Sequence, residues 1–322
     1  MVLVTGGLGF IGPHVARALL DVGESCVLTR RNTSHLPGFI SEELGERVFV
    51  EQLDLTDREA LLDLGRRHAI TGIVHLAAGR FDGVDPLEYV RLSSQTLFNV
   101  LDAARRWEVR RVGLASTIGV YAGALDPLGA IDEDTPVPLA ASAALPIPTV
   151  KRSGEMLASF VSAHAELKVV SMRFSAIWGP LGRDCSRLFA APALIHAAVR
   201  GSVPEVLDRQ QNGYLEDKID MCYVKDCARA VALLQTTEQL NHTTYNVAAG
   251  RATSNAELLA TIRDLLPDLD LTLPEGRDPS GPRQDMWLDI TRLQNDTGYE
   301  PAYSAERAAA DYIAWLHAGN DR

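Results

Sequence analysis

Three glycines at three-residue intervals, Gly6, Gly9 and Gly12, separate the apolar run VLV from the segment PHVARALL, and they leave the start of the chain little freedom of shape. Val2, Leu3 and Val4 are continuously apolar, as a strand covered on both faces must be. From residue 11 the apolar spacing becomes helical, so the glycines bridge a strand to a helix. Without side chains the bend can turn sharply, and the amides and positive dipole end of the helix can approach a diphosphate. The alternative is three glycines that merely serve a tight turn.

The same alternation continues through the first half. Short β-branched runs near 1–5, 25–29, 47–51, 72–76, 111–115 and 168–173 predict strands, and the segments near 11–22, 57–68, 86–106 and 149–166 predict helices. Helices of that length between strands allow right-handed crossovers, so the expected fold class is α/β, a Rossmann-type doubly wound parallel sheet. After about residue 174 the regularity fades around WGPLG and EGRDPSGPR. We therefore expect a dinucleotide-binding domain over 1–174 and a smaller, interleaved substrate lobe over 175–322. Residues 218–250 return to the first domain, and a last helix spans about 304–318.

Composition removes several function classes. A formal net charge of -11 repels a polyanion, and no basic cluster offsets it, so a small-molecule substrate is expected rather than nucleic acid. With 46% apolar and 23% charged residues, and no apolar run of the roughly 18 residues a span requires, no membrane role is expected. Met1 leads directly into the first strand, which leaves no room for a leader and makes the cytoplasm the expected compartment. Cys26, Cys185, Cys222 and Cys227 show no metal-ligand spacing and read as small buried hydrophobes, so no metal is expected.

TGGLGFIG (5–12) resembles the glycine motif of the extended short-chain dehydrogenase/reductases, in their NAD-dependent epimerase/dehydratase branch. DLTD (54–57), HLAA (75–78), ASTIGVYAG (115–123), RFSAIWGP (173–180), DMCYVKD (220–226), YNVAAG (245–250) and the Gly-Tyr-x-Pro at 298 fall in that family's order. The resemblance implies a nicotinamide dinucleotide held by Gly6, Gly9, Phe10, Ile11 and Gly12, with Asp54 and Leu55 at the adenine and Leu76, Ala77 and Ala78 where it crosses the sheet. Where the second strand ordinarily ends in an acid for the ribose hydroxyls, this chain has Arg30 followed by Arg31. Two guanidinium groups pair with a 2′-phosphate, which favours NADP(H) over NAD(H). The alternative for them is a solvated surface pair.

By the same resemblance, Thr117 takes the place of the family's catalytic hydroxyl, and Lys151 that of the lysine gripping the nicotinamide ribose. Four residues before Lys151, where the family's proton-transferring tyrosine belongs, stands Ile147, which has no proton to exchange. Either Tyr121 or a water on Thr117 substitutes, the chemistry needs no enzymic acid, or no reaction occurs. The string Tyr214 to Lys218 has the tyrosine-lysine spacing but precedes a strand, and is read as coincidence. Ile118 and Gly119 follow Thr117 where the 4,6-dehydratases carry an Asp-Glu pair, which disfavours dehydration. Ala176 replaces the family's nucleotide-contacting asparagine and Ser93 a structural one. Arg283 matches a substrate-facing arginine, or is a solvated loop residue. His14 and His75 read as structural.

A homodimer is expected through the helices near 90–106 and 149–166. Leu97, Val100, Leu101, Met156, Leu157 and Phe160 suit that role or a face packed on the sheet. The expected function is an NAD(P)-dependent oxidoreductase or epimerase acting on a hydroxyl or keto carbon of a sugar-like substrate. The alternative, for which Ile147 is the warrant, is a coenzyme-binding sensor or scaffold without turnover.

Overall fold

The structure is a computed structural model that describes residues 1–32, 35–79, 83–122, 129–136, 145–186, 188–204, 213–267, 271–279 and 285–320. Its strands, in chain order, are β1 (Val2–Thr5), β2 (Cys26–Arg30), β3 (Val48–Gln52), β4 (Gly72–His75), β5 (Val112–Thr117), β6 (Gly129–Ile131), β7 (Val169–Phe174), β8 (Ala176–Trp178), β9 (Lys218–Tyr223), β10 (Thr244–Val247), β11 (Ala252–Ser254) and β12 (Met286–Leu288). Seven of them form one parallel sheet in the order β10-β7-β5-β4-β1-β2-β3. The order reverses between β1 and β4. In a doubly wound sheet the crevice for a ligand opens at that reversal, beyond the carboxyl ends of the strands.

Successive strand residues face opposite sides, and here each side has its own core. Val2 and Val4 join Leu28, Val74, Val15, Leu19, Val231 and Leu234, beneath the helices Gly12–Asp21 and Val224–Thr236. Leu3, Val27 and Ile73 join Leu61, Leu64, Leu97, Val100 and Ala158, beneath Arg58–Arg67, Pro86–Arg106 and Pro146–His164. This is the Rossmann-type arrangement expected from the alternating runs, with strands found within a residue or two of the expected bounds. The last of these helices starts at Pro146 rather than 149, since proline fits the first turn, where no intrahelical donor is needed.

A third core lies outside the main sheet. Trp178, Leu194, Ile195, Met221, Leu258, Ile262, Tyr312 and Ile313 pack together around a small sheet in which β9 runs parallel to β8 and antiparallel to β11. The chain leaves that sheet through Val224–Thr236, which packs on Gly12–Asp21, and then contributes β10 to the edge of the large sheet. Among the described residues no helix is long and apolar enough to cross a membrane.

Candidate active site

The glycine turn is shaped by contacts that exclude side chains. Gly6 has φ 66°, and a Cβ there would lie 3.0 Å from the Ala77 Cα and N. A Cβ on Gly12 would fall 2.5 Å from the Gly7 carbonyl oxygen, closer than real atoms approach. Thr29 fixes the turn to β2, its Oγ1 accepting from the Gly6 amide at 3.2 Å and its carbonyl from the Gly7 amide at 2.9 Å. Gly9, by contrast, is exposed and would bring a Cβ near only the Gly6 carbonyl oxygen, at 3.1 Å.

Behind this turn the Gly12–Asp21 helix begins at Ile11 with no side-chain cap, whereas Asp57 and Asp85 cap the helices that follow them. Its first amides, Pro13 having none, therefore have no side-chain acceptor, as at the starts of Pro146–His164, Ala191–Arg200 and Val224–Thr236, but here they adjoin the glycine turn. The diphosphate of a nicotinamide dinucleotide fits this surface, because it needs amide donors and close access to main chain. Phe10 flanks the turn, its ring lying 3.1 Å from where a Gly182 Cβ would be.

One end of the crevice lies beyond β2 and β3. Arg30 closes β2 half-buried, and Arg31 just beyond it is exposed. Asp54 accepts from the Thr56 amide at 2.9 Å and the Thr56 hydroxyl at 2.8 Å. Those bonds, helped by the nearby Arg31 charge, hold its carboxyl below the usual range. Leu55 is buried in the second core, and its carbonyl takes the Asn99 side-chain amide at 2.8 Å.

At the other end a cleft of about 450 Å³, its open mouth included, is lined by His75, Ala77, Ala78, Tyr89, Ser93, Leu114 and Lys151, among others. Leu76 and Ala77 touch Gly6, so the glycine turn and this cleft share a wall. Burial pulls the Lys151 amine down to about 8, against the pull of Glu155 one turn on. Among the described residues nothing accepts a hydrogen bond from that amine, whereas Lys218 and Lys225 pair with Asp285 at 3.1 Å and Asp311 at 2.7 Å. Thr117 ends β5, and its Oγ1 accepts the Gly119 amide at 3.2 Å. Pro148 lies 2.7 Å from where a Gly119 Cβ would be, which brings the first turn of Pro146–His164 over the Thr117 turn. Ile147 sits in that first turn, 52% exposed.

Other expected residues are placed elsewhere. Tyr121 is 1% exposed; its hydroxyl donates to Asn246 Oδ1 at 2.8 Å and accepts from Arg173 at 2.9 Å. Burial pushes that phenol up to about 12, despite the Arg173 charge. With its hydroxyl committed inside the protein, Tyr121 is corrected from substitute acid to a structural part. Ala176 is 4% exposed and opens β8 beside Met221 in the third core, so it offers a ligand no surface. Arg283 lies outside the described residues. Lys218 pairs with Asp285 at the start of β9, while the Tyr214 amide donates to Asp217 at 2.8 Å, so the Tyr214–Lys218 string serves a turn.

His14 donates from Nε2 to the Pro180 carbonyl at 2.9 Å and stacks on Phe39 at 5.0 Å. His75 shares a 2.7 Å hydrogen bond with the Thr5 hydroxyl. Burial holds the two imidazoles at about 4 and about 3, so both stay neutral at ordinary pH. Three residues went unread in the sequence: Arg173 forks onto Glu155 at 2.7 Å while bonding Tyr121, and Asn246 continues that interior chain to Ile131 and Asp289 at 2.9 Å. Only the Lys151–Glu155 spacing of four, one helical turn, could have signalled it.

Known proteins share this fold and much of its length. The UDP-glucuronate 4-epimerase of Thermodesulfobacterium geofontis is 24% identical over 323 residues, covering 97% of this chain and 95% of that protein. The UDP-glucose 4-epimerase of Azospirillum brasilense is 27% identical over 317 residues, covering 94% and 87%. Among solved structures, a UDP-glucose 4-epimerase of Thermotoga maritima with UDP-glucose superposes with a TM-score of 0.80 at 22% identity, over 99% of both chains. A UDP-glucuronic acid 4-epimerase of Bacillus cereus, in complex with UDP-glucuronic acid and NAD, gives 0.78 at 23% identity over 98% and 99%. The sequence model of one family matches residues 2–248, a span that holds the glycine turn, the uncapped helix and Lys151, and the chain belongs to that family, the NAD dependent epimerase/dehydratase family.

Proposed function

We propose that this chain is an NAD(P)-dependent oxidoreductase or epimerase acting on a hydroxyl or keto carbon of a sugar-like substrate. The observation that carries the proposal is the wall shared by the uncapped helix start and the Lys151 cleft, at Gly6 and Ala77. A dinucleotide held by the amides of Phe10 to Gly12, the Gly9 amide being spent on the Gly6 carbonyl at 2.9 Å, and crossing Leu76 to Ala78 would bring its nicotinamide end to Lys151. When bound, that group accepts and returns hydride. Thr117 holds the substrate oxygen beside it, and Ile147 occupies the family's tyrosine position with an apolar side chain. The relatives named above support a sugar nucleotide as the substrate.

Arg30 and Arg31 support NADP(H) as the preferred coenzyme, since their charges complement a 2′-phosphate and no carboxylate ends β2. A second copy of the chain is the proposed partner. Phe98, Met156 and Phe160 are 48%, 65% and 64% exposed on Pro86–Arg106 and Pro146–His164, while Leu97, Val100 and Leu101 are spent on the core. A sensor without turnover is the second reading, favoured by Ile147 alone.

Coenzyme reduction and epimer formation with UDP-glucose, UDP-glucuronate and dTDP-glucose separate the two. The enzyme reading predicts turnover by the wild type, and a rise of up to about 10²-fold in Ile147→Tyr, from added proton transfer. Tight coenzyme binding with neither product formed, in either protein, selects the sensor.

A further inference from the structure

The reading above leaves the proton without a carrier, since Ile147 has none to exchange and the Tyr121 hydroxyl is locked between Asn246 and Arg173. We propose that the ε-amino group of Lys151 is itself the acid and base of the reaction, exchanging its proton with the substrate oxygen that Thr117 holds. The inference rests on the oxidoreductase or epimerase reading. In the oxidising direction the substrate's C–H bond breaks and its hydride reduces the oxidised nicotinamide. The O–H bond breaks as its proton passes to the neutral amine, and the carbon–oxygen bond becomes double. In the reducing direction the hydride returns to the carbonyl carbon and the Lys151 ammonium returns the proton to oxygen.

Three features place the amine in this role. Lys151 lines the cleft with Ala77 and Ala78, the segment that meets the glycine turn. Its ε-amino group has no acceptor among the described residues. The carboxylate nearest along its own helix, Glu155, is held by the Arg173 fork through contacts of 3.2 Å and 2.7 Å, and so does not lock Lys151 into an ion pair.

The other titratable groups around it do not compete. From β4, His75 is kept neutral by burial and repelled from protonation by Lys151 itself. From Pro86–Arg106, Tyr89 has its phenol raised by burial. Glu155 raises the lysine and burial lowers it, leaving it at about 8, where it can hold or release a proton near neutrality. An arginine cannot do this, because its guanidinium stays charged.

The chain has four lysines, Lys151, Lys168, Lys218 and Lys225, so the test is tractable. Full-length protein carrying [ε-13C]lysine and saturated with oxidised coenzyme is titrated by NMR, with Lys151→Arg assigning the signal. Coenzyme reduction and epimer formation with UDP-glucose, UDP-glucuronate and dTDP-glucose are followed across the same pH range. The proposal predicts a Lys151 inflection near 8. It also predicts a rate that climbs about tenfold per pH unit below that inflection and levels above it. Lys151→Arg should lose about 10²–10⁴-fold in rate, with coenzyme affinity by calorimetry changed less than about tenfold. Lys151→Gln, smaller and uncharged, guards against a misfit of the arginine and should lose rate likewise.

An inflection at about 10 or above, the ordinary lysine range, overturns the proposal. So does a rate that is flat across the Lys151 inflection, or full activity in Lys151→Arg. Turnover with an unshifted lysine sinks this inference alone; intact coenzyme binding with neither coenzyme reduction nor epimer formation from any of the three sugars sinks it together with the function proposed above.

Discussion

At the glycine turn the groups offered to a ligand belong to the main chain, whereas around Lys151 they belong to side chains, and the two regions tolerate change differently. An added Cβ would fall 2.5 Å from main chain at Gly12 and 3.0 Å at Gly6, where φ is also positive at 66°, so the sequence there has almost no latitude. Ile147 is half exposed in the first turn of its helix and props up no core, so a phenol or an isoleucine leaves the fold unchanged. A site made of amides is therefore retained whenever the fold is. A site made of side chains can be rewritten residue by residue on an unaltered scaffold.

The sharpest way to break this contrast is within the turn itself. Gly12→Ala should abolish coenzyme binding by calorimetry and lower stability by about 1–3 kcal/mol, because main chain has to move. Gly9→Ala should lower coenzyme affinity by about tenfold or more while leaving the denaturant midpoint nearly unchanged. Equal loss of stability in both variants would show that Gly9 is structural too. Tyr121→Phe should then cost about 1–3 kcal/mol through the unpaired Asn246 and Arg173. Its turnover under folding conditions should stay within a few fold of wild type, and a collapse in rate without loss of stability would return Tyr121 to the chemistry.

The smallest effect comes from the two neutral histidines, one behind each region. An unfolded imidazole takes a proton near 6.5, but folded His14 and His75 resist to about 4 and about 3. Their contribution is thus complete above 6.5 and is withdrawn as pH falls below it. Between pH 7 and 6 each imidazole should remove about 0.7 kcal/mol, read as a falling denaturant midpoint. His14→Gln and His75→Gln should each flatten part of that slope, and a slope untouched by both would mean that other groups govern it.

Much of the architecture was legible because the large sheet repeats one pattern: apolar strands such as VLVT and GIVH, each followed by a helix with its own punctuation. The small sheets were not, apart from β9, whose apolar run stands before a helix. β8 and β12 are three residues long, too short to show a period, and β12 pairs with β6 from far along the chain, Met286 beside Gly129. In the site, the crowding at Gly6 and Gly12 was legible, because glycine spacing encodes close main-chain approach directly. Tyr121 was misread because a sequence shows that a phenol is near Thr117 but not that Asn246, 125 residues later, holds its hydroxyl. Long-range hydrogen bonds of that kind leave no local periodicity.

The central claim is that main-chain amides at the start of Gly12–Asp21 hold the diphosphate of a nicotinamide dinucleotide, and calorimetry of the purified chain with NADP and with NAD tests it most directly. The account predicts saturable one-to-one binding of both, tighter for NADP, and its loss in Gly12→Ala. Absence of saturable binding for either coenzyme, in a chain whose melting profile shows it folded, would contradict it.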